Sequence, residues 1–275
     1  MTPEEVEIIR LVVQARSGMV INPDKTYRIE TQLAPLARRE GYADISELVQ
    51  AVQDKRDPAL MWALTEALTN SETSFFRDRA PFQQFREEIL PELAMNRGAK
   101  PLRIWSAACS TGQEPYSLAM LLDDEVSKYP GLTVELFGSD ISERCLEKAQ
   151  SGLYTQFEVQ RGLPIRLLVR HFERQDEAWA IAPRIRQTVR WRRVNLLADL
   201  RGLGQFDVIF CRNVVSSFEP ATARRVLEQL AAALPDDGRL VLGIDETLGE
   251  LTEAFNPVSG RRGVYAPNPA FSVAA

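Results

Sequence analysis

Apolar residues recur every three or four positions from residue 3 to about residue 70, the period of amphipathic helices. Val6, Ile9, Leu11, Val12 and Val13 follow Thr2-Pro3-Glu4, with proline at a favoured first-turn position, and Gly18 ends that helix. Tyr27, Ile29, Leu33 and Leu36 predict a second helix from about Asp24 to Arg39, bent at Pro35 and stopped by Gly41. Asp44 reads as the N-cap of ISELVQAVQ, and Asp57 opens ALMWALTEAL.

From about residue 100 the pattern becomes short apolar runs separated by helical stretches. LRIWSA (102–107), TVELFGSD (133–140), VRWRRVNLL (189–197), FDVIFC (206–211) and GRLVLGI (238–244) predict strands; 114–128, 142–150 and 220–233 predict helices. Such alternation specifies a parallel, doubly wound sheet covered on both faces. The expected organisation is a helical domain in 1–72, a linker in 73–100 and an α/β domain in 101–275. FERQDEAWAIAP supplies a small β insertion near 170–188.

Composition narrows the function classes. The chain has 275 residues, 45% hydrophobic and 26% charged, and no apolar run near the ~20 residues that span a bilayer, so membrane insertion is not expected. MTPEEVEIIR carries acids where an export signal carries bases. A net charge of −5 argues against coating nucleic acid. Cys109, Cys145 and Cys211 are too scattered for a disulfide framework or a zinc site, which fits a cytoplasmic setting with no metal. His171 is the only histidine and sits in no catalytic context, so the chemistry is expected to run without an imidazole base.

In a doubly wound sheet, ligands bind beyond the carboxyl ends of the strands. SAACSTGQEPYS (106–117) runs from a strand through small residues and Gly112 into a helix, which lets a ligand approach the backbone. Its Glu114 suits a cationic ligand, or complements the helix dipole. Asp140 ends the second strand, placed either to hold a ribose diol or to cap the helix near Ser142. Asn195-Leu196 can hydrogen-bond and sandwich a base. Arg212-Asn213 breaks sharply from apolar FDVIFC, which requires a partner for the arginine. NSETSFFRD, Asn70 to Asp78, clusters hydroxyls, two aromatics and Arg77; it is either part of the site or a helix cap with a core Phe pair.

Together, LTNSETSFFRD, IWSAACSTGQEPYSLAM, GSDISERCLEKAQSGLY, VNLL and FDVIFCRNVV resemble, in order and spacing, the CheR family of chemotaxis receptor methyltransferases. The resemblance implies a Rossmann-like S-adenosylmethionine (SAM)-dependent methyltransferase domain, an all-helical N-terminal domain and a small β subdomain. It implies methyl transfer to glutamate side chains on the cytoplasmic helices of chemoreceptors, with S-adenosylhomocysteine (SAH) as product. The cofactor residues it implies are Ser71, Thr73, Arg77, Glu114, Asp140, Asn195, Leu196, Arg212 and Asn213; Arg77 would also orient the incoming carboxylate. Ser71 stands where the family usually has Asn, Ala108 where it has Gly, Gln113 where it has Glu, and Ser217 where it commonly has Tyr. Those departures support an alternative, a catalytically weak SAM- or SAH-binding regulatory or scaffolding relative. The arginine-rich stretch from Arg161 to Arg201 suits an acidic receptor bundle or a solvated face equally well. An insertion without glycine predicts no tethering-peptide contact.

Overall fold

The computed structural model describes residues 1–22, 26–69, 71–98 and 100–271; Asp24 and Asn70, assigned above to a helix start and to the first motif, lie outside them. The chain divides into two units, Met1–Asn70 with Ser217–Thr222, and Ser71–Ser216 with Ala223–Ala275.

The first unit follows its caps. Helix α1 (Pro3–Ser17) starts on a capping box between Thr2 and Glu5 and ends on Gly18 at φ 76°. Helix α2 (Thr26–Arg39) runs through Pro35, and α3 (Ile45–Lys55) and α4 (Pro58–Leu68) begin on Asp44 and Asp57, whose side chains accept from Glu47 N and Ala59 N. Ile9, Val13, Leu33, Leu48 and Leu64 are fully buried and form its core. Residues 217–222 join this unit because Val20 N donates to Ser217 O at 2.8 Å and Met19 bridges Phe218. A helical domain confined to 1–72 therefore omits a returning segment.

The second unit begins at Ser71, so the expected linker is part of it. A helical stretch of α5 (Ala80–Gln84), a π-helical turn (Phe85–Ile89) and α6 (Leu90–Arg97) leads into β1 (Leu102–Ala107), α7 (Gln113–Glu125), β2 (Val134–Asp140) and α8 (Glu143–Ser151). Then come β3 (Leu153–Thr155), α9 (Gln156–Gln160), α10 (Ile165–His171), β4 (Phe172–Gln175), β5 (Ala178–Ile181) and α11 (Pro183–Arg186). The chain closes with β6 (Val189–Arg193), β7 (Val208–Phe210), α12 (Pro220–Ala232), β8 (Arg239–Val241), β9 (Phe255–Pro257) and β10 (Val264–Pro267). Seven strands form one sheet in the order β6-β2-β1-β7-β8-β10-β9. The first five are parallel, as expected; β10 pairs antiparallel with β8 and β9, an edge the sequence pattern did not show. The predicted strand 189–197 stops at Arg193, because Asn195 Oδ1 accepts from Leu197 N at 3.0 Å and turns the chain. The β insertion is a separate antiparallel sheet, β3-β5-β4. It starts at Leu153, upstream of the expected 170, because β3 pairs with β5.

His171, the last residue of α10, is fully buried, with Nδ1 3.1 Å from Arg184 Nη2. Burial, and then the Arg184 charge, push its pKa below the usual 6.5, so it folds as a neutral ring. The unfolded chain therefore binds this proton more readily, and stability contributed by neutral His171 is lost as pH falls below about 6.5. Thermal melts from pH 7.5 to 5.5 should fall less steeply in His171→Gln than in the wild type; equal slopes would remove His171 as a source of acid lability.

Candidate active site

Strand β1 has β2 on one side and β7 on the other, so the strand order reverses beside it and a crevice opens at the carboxyl ends. Among the described residues, eight non-glycines have positive φ, and six of them lie in segments at this edge: Phe76, Asp78, Arg79, Ala108, Ser110 and Asn213. Backbone held in these sparsely populated regions is characteristic of functional sites.

The loop after β1 is fixed from several sides. Cys109 N donates to Ser139 O at 2.9 Å, Ser110 N to Asp140 Oδ2 at 2.8 Å, and Tyr154 Oη to Thr111 O at 2.8 Å. Gly112, at φ 92°, lies so close to α8 that an added Cβ would sit 2.7 Å from the Ala149 Cβ. Its glycine thus serves helix packing as well as the turn. Ser110 Oγ donates to Ser71 O at 2.7 Å, and Phe76 N donates to Ser117 Oγ at 2.9 Å, which pins the 71–79 segment to this loop and to α7.

An ionic cluster around buried Arg212 and Glu114 connects that segment to the strand ends. The Arg212 side chain, only 2% exposed, donates from Nη1 to Glu114 Oε2 at 2.9 Å, and from Nη2 to Asp78 Oδ2 at 2.8 Å and Arg77 O at 2.7 Å. Ser106 Oγ donates to the other Glu114 oxygen at 2.8 Å. Two carboxylates against one guanidinium leave the cluster one negative charge, which suits a cationic ligand group. Glu114 faces Arg212 first, and the arginine that appeared to need a partner has two acids.

Asp140 is buried at the end of β2, its Oδ1 accepting from Ser142 N at 2.9 Å. The helix cap itself is Ser142, whose side chain accepts from Cys145 N. Leu196 is buried and Asn195 half-buried in the turn after β6. Thr73 and Arg77 are half-buried, Arg77 donating to Glu72 O at 3.0 Å; Ser71 is exposed and is held through its carbonyl. Asn213 sits at φ 60°, a conformation asparagine tolerates well, and its N–H donates to Glu246 Oε2 at 2.6 Å.

Sequence reasoning included Asp78, Ser106 and Ser110 in its candidate segments without singling them out, and passed over Glu246. Glu246 carries the same signal as Asp140, an acid just past a strand end. Buried, it accepts from Asn213 N, Gly243 N, Ser216 N and Ser216 Oγ at 2.6–3.2 Å, joining the loops after β7 and β8. Glu246→Gln must turn an NH2 toward one of these donors. We expect it to lose roughly 1–2 kcal/mol in urea unfolding; a wild-type midpoint and slope would show that the carboxylate does not hold these loops. Cys109 and Cys211 are neutral thiols, their pKa raised foremost by burial, so neither serves as a thiolate nucleophile.

The residues fit SAM. The chemistry of Asp140 suits a ribose diol, and that of the net-negative Glu114–Arg212–Asp78 cluster suits the amino group of the methionine portion. Fold and site together define a Rossmann-like, SAM-dependent methyltransferase. The chain belongs to the CheR methyltransferase family: its SAM-binding domain matches residues 71–264 and its all-alpha domain residues 4–69. The chain is 36% identical to chemotaxis protein methyltransferase 1 of Pseudomonas aeruginosa, over 94% of this chain and 96% of that protein. It is also 36% identical to chemotaxis protein methyltransferase 1 of Vibrio cholerae, over 92% of each chain. The chemotaxis protein methyltransferase of Salmonella typhimurium is 35% identical, over 90% of this chain and 85% of that protein. These matches do not favour the catalytically weak regulatory alternative.

Proposed function

We propose that the protein transfers the methyl group of SAM to glutamate side chains on the cytoplasmic helices of chemoreceptors, acting in the cytoplasm as a chemotaxis methyltransferase. Among the described residues no helix is long and apolar enough to cross a membrane. The observation that carries the reading is the pinned 71–79 segment, which brings Arg77 to the carboxyl edge, with its carbonyl on Arg212. The cofactor supplies an intrinsically electrophilic methyl group. A glutamate side chain is ionised near neutral pH and needs no base to attack. The protein's task is then to align the two groups and exclude water. Arg77 orients the incoming carboxylate through charge-assisted hydrogen bonds, and Thr73, on the same segment, lines the cofactor.

The test is label transfer from methyl-labelled SAM to a cognate receptor fragment, followed by mild alkali. A glutamyl methyl ester releases volatile methanol; base-stable label, or none, would overturn the assignment. Arg77→Lys should lower turnover by about tenfold or more with SAM affinity little changed, since a point charge cannot reproduce the planar fork. Wild-type turnover in that variant would take Arg77 out of the reaction.

A further inference from the structure

The arginines between Arg161 and Arg201 divide in two. Arg161, Arg166, Arg170, Arg184, Arg193 and Arg201 form ion pairs with acids. Arg174 and Arg186 donate to the main-chain carbonyls of Asp176 and Ser151. Alone in this stretch, the side chains of Arg190 and Arg192 have no hydrogen-bond or ion-pair partner among the described residues, and both residues are exposed. They are two apart on the edge strand β6, so they project from the same sheet face about 7 Å from one another.

Both line a cavity of about 310 Å3, at the lower end of the size that holds small ligands. Its floor is aromatic. Half-buried Phe137 stacks on Phe206 with ring centroids 5.7 Å apart, and the Arg103 guanidinium lies 4.5 Å over the Phe206 ring. Arg103 is neutralised by Glu135, Nε to Oε2 at 3.2 Å, so the cavity keeps two uncompensated positive charges, those of Arg190 and Arg192. It is separate from the cofactor crevice. Arg103 and Glu135 are the second residues of β1 and β2, and Phe206 precedes β7, which puts the cavity toward the amino ends of the strands.

The geometry points to a second ligand site, for a nucleoside phosphate whose phosphate lies between Arg190 and Arg192 and whose base lies against Phe137. Two guanidinium forks match phosphate oxygens, and an aromatic ring beside them accepts a planar base. A bare anion would use the arginines and leave the ring idle.

The test uses the full-length protein saturated with SAH, which keeps nucleotides out of the cofactor crevice. The ribonucleoside 5′-monophosphates and 5′-diphosphates are titrated by calorimetry, with inorganic phosphate alongside. At least one nucleotide should bind with a Kd below about 1 mM and more tightly than phosphate. The double variant R190Q/R192Q should weaken it by about tenfold or more, with an unchanged melting temperature and SAH affinity. The proposal fails if no nucleotide binds, if phosphate binds as tightly as any nucleotide, or if the double variant binds like the wild type. It also fails if the panel is inert while the double variant selectively loses affinity for an acidic receptor fragment, which would make this face a protein contact.

Discussion

Arg212→Ala should destabilise the second unit by about 3–5 kcal/mol, the cost of leaving buried charges without their partner. Glu114 and Asp78 would face each other's charge with no cation between them, and the Arg77 carbonyl would lose its donor. Because the cluster joins the 71–79 segment to α7 and to the end of β7, SAM affinity should fall with it. Arg212→Lys is the informative companion. One ammonium cannot reproduce the two-armed bridge to Glu114 and Asp78, so partial stability with weak SAM binding is expected. Urea unfolding followed by calorimetry of SAM on the folded fraction separates the two effects. A stable Arg212→Ala protein with wild-type affinity would show that the cluster is ornamental.

Asp140→Ala should weaken SAM binding roughly ten- to hundredfold, matching about 1.5–3 kcal/mol for hydrogen bonds to a charged acceptor. The structure adds a cost to the fold. The amides of Ser110 and Ser142 both donate to this carboxylate, so the alanine variant should also melt earlier. Asp140→Asn keeps one acceptor oxygen and should recover part of the stability, while its amide opposes one of the donors it faces. Undiminished calorimetric affinity in a folded alanine variant would remove Asp140 from the site.

Much of this was legible in the chain itself. Capping is local chemistry, so Thr2, Gly18, Asp44 and Asp57 marked helix ends that the fold keeps. Buried parallel strands must be apolar on both faces, so LRIWSA and FDVIFC stood out. Asp140 and Arg212 stood out because each is a charged residue at the end of such a strand. The antiparallel strands β9 and β10 did not, since three or four residues containing proline carry no periodicity. β3 was missed for a related reason: three residues following a helix become a strand only when β5, more than twenty residues away, pairs with them.

The helical and α/β parts, the parallel core of the sheet and the family could all be read from the chain before any fold was known. These depend on short-range pattern and on motifs that lie contiguous in the chain. Which charges meet emerged only on folding. Glu114 and Arg212 are 98 residues apart, and Asp78 and Arg212 134 apart, so no local signal pairs them. Glu246 is visible in the sequence as an acid past a strand end, but which amides it holds was settled only when the loops after β7 and β8 met. The arginines of 161–201 are uniform in the sequence. Packing gives eight of them an acid or a carbonyl and leaves the side chains of Arg190 and Arg192 without one among the described residues.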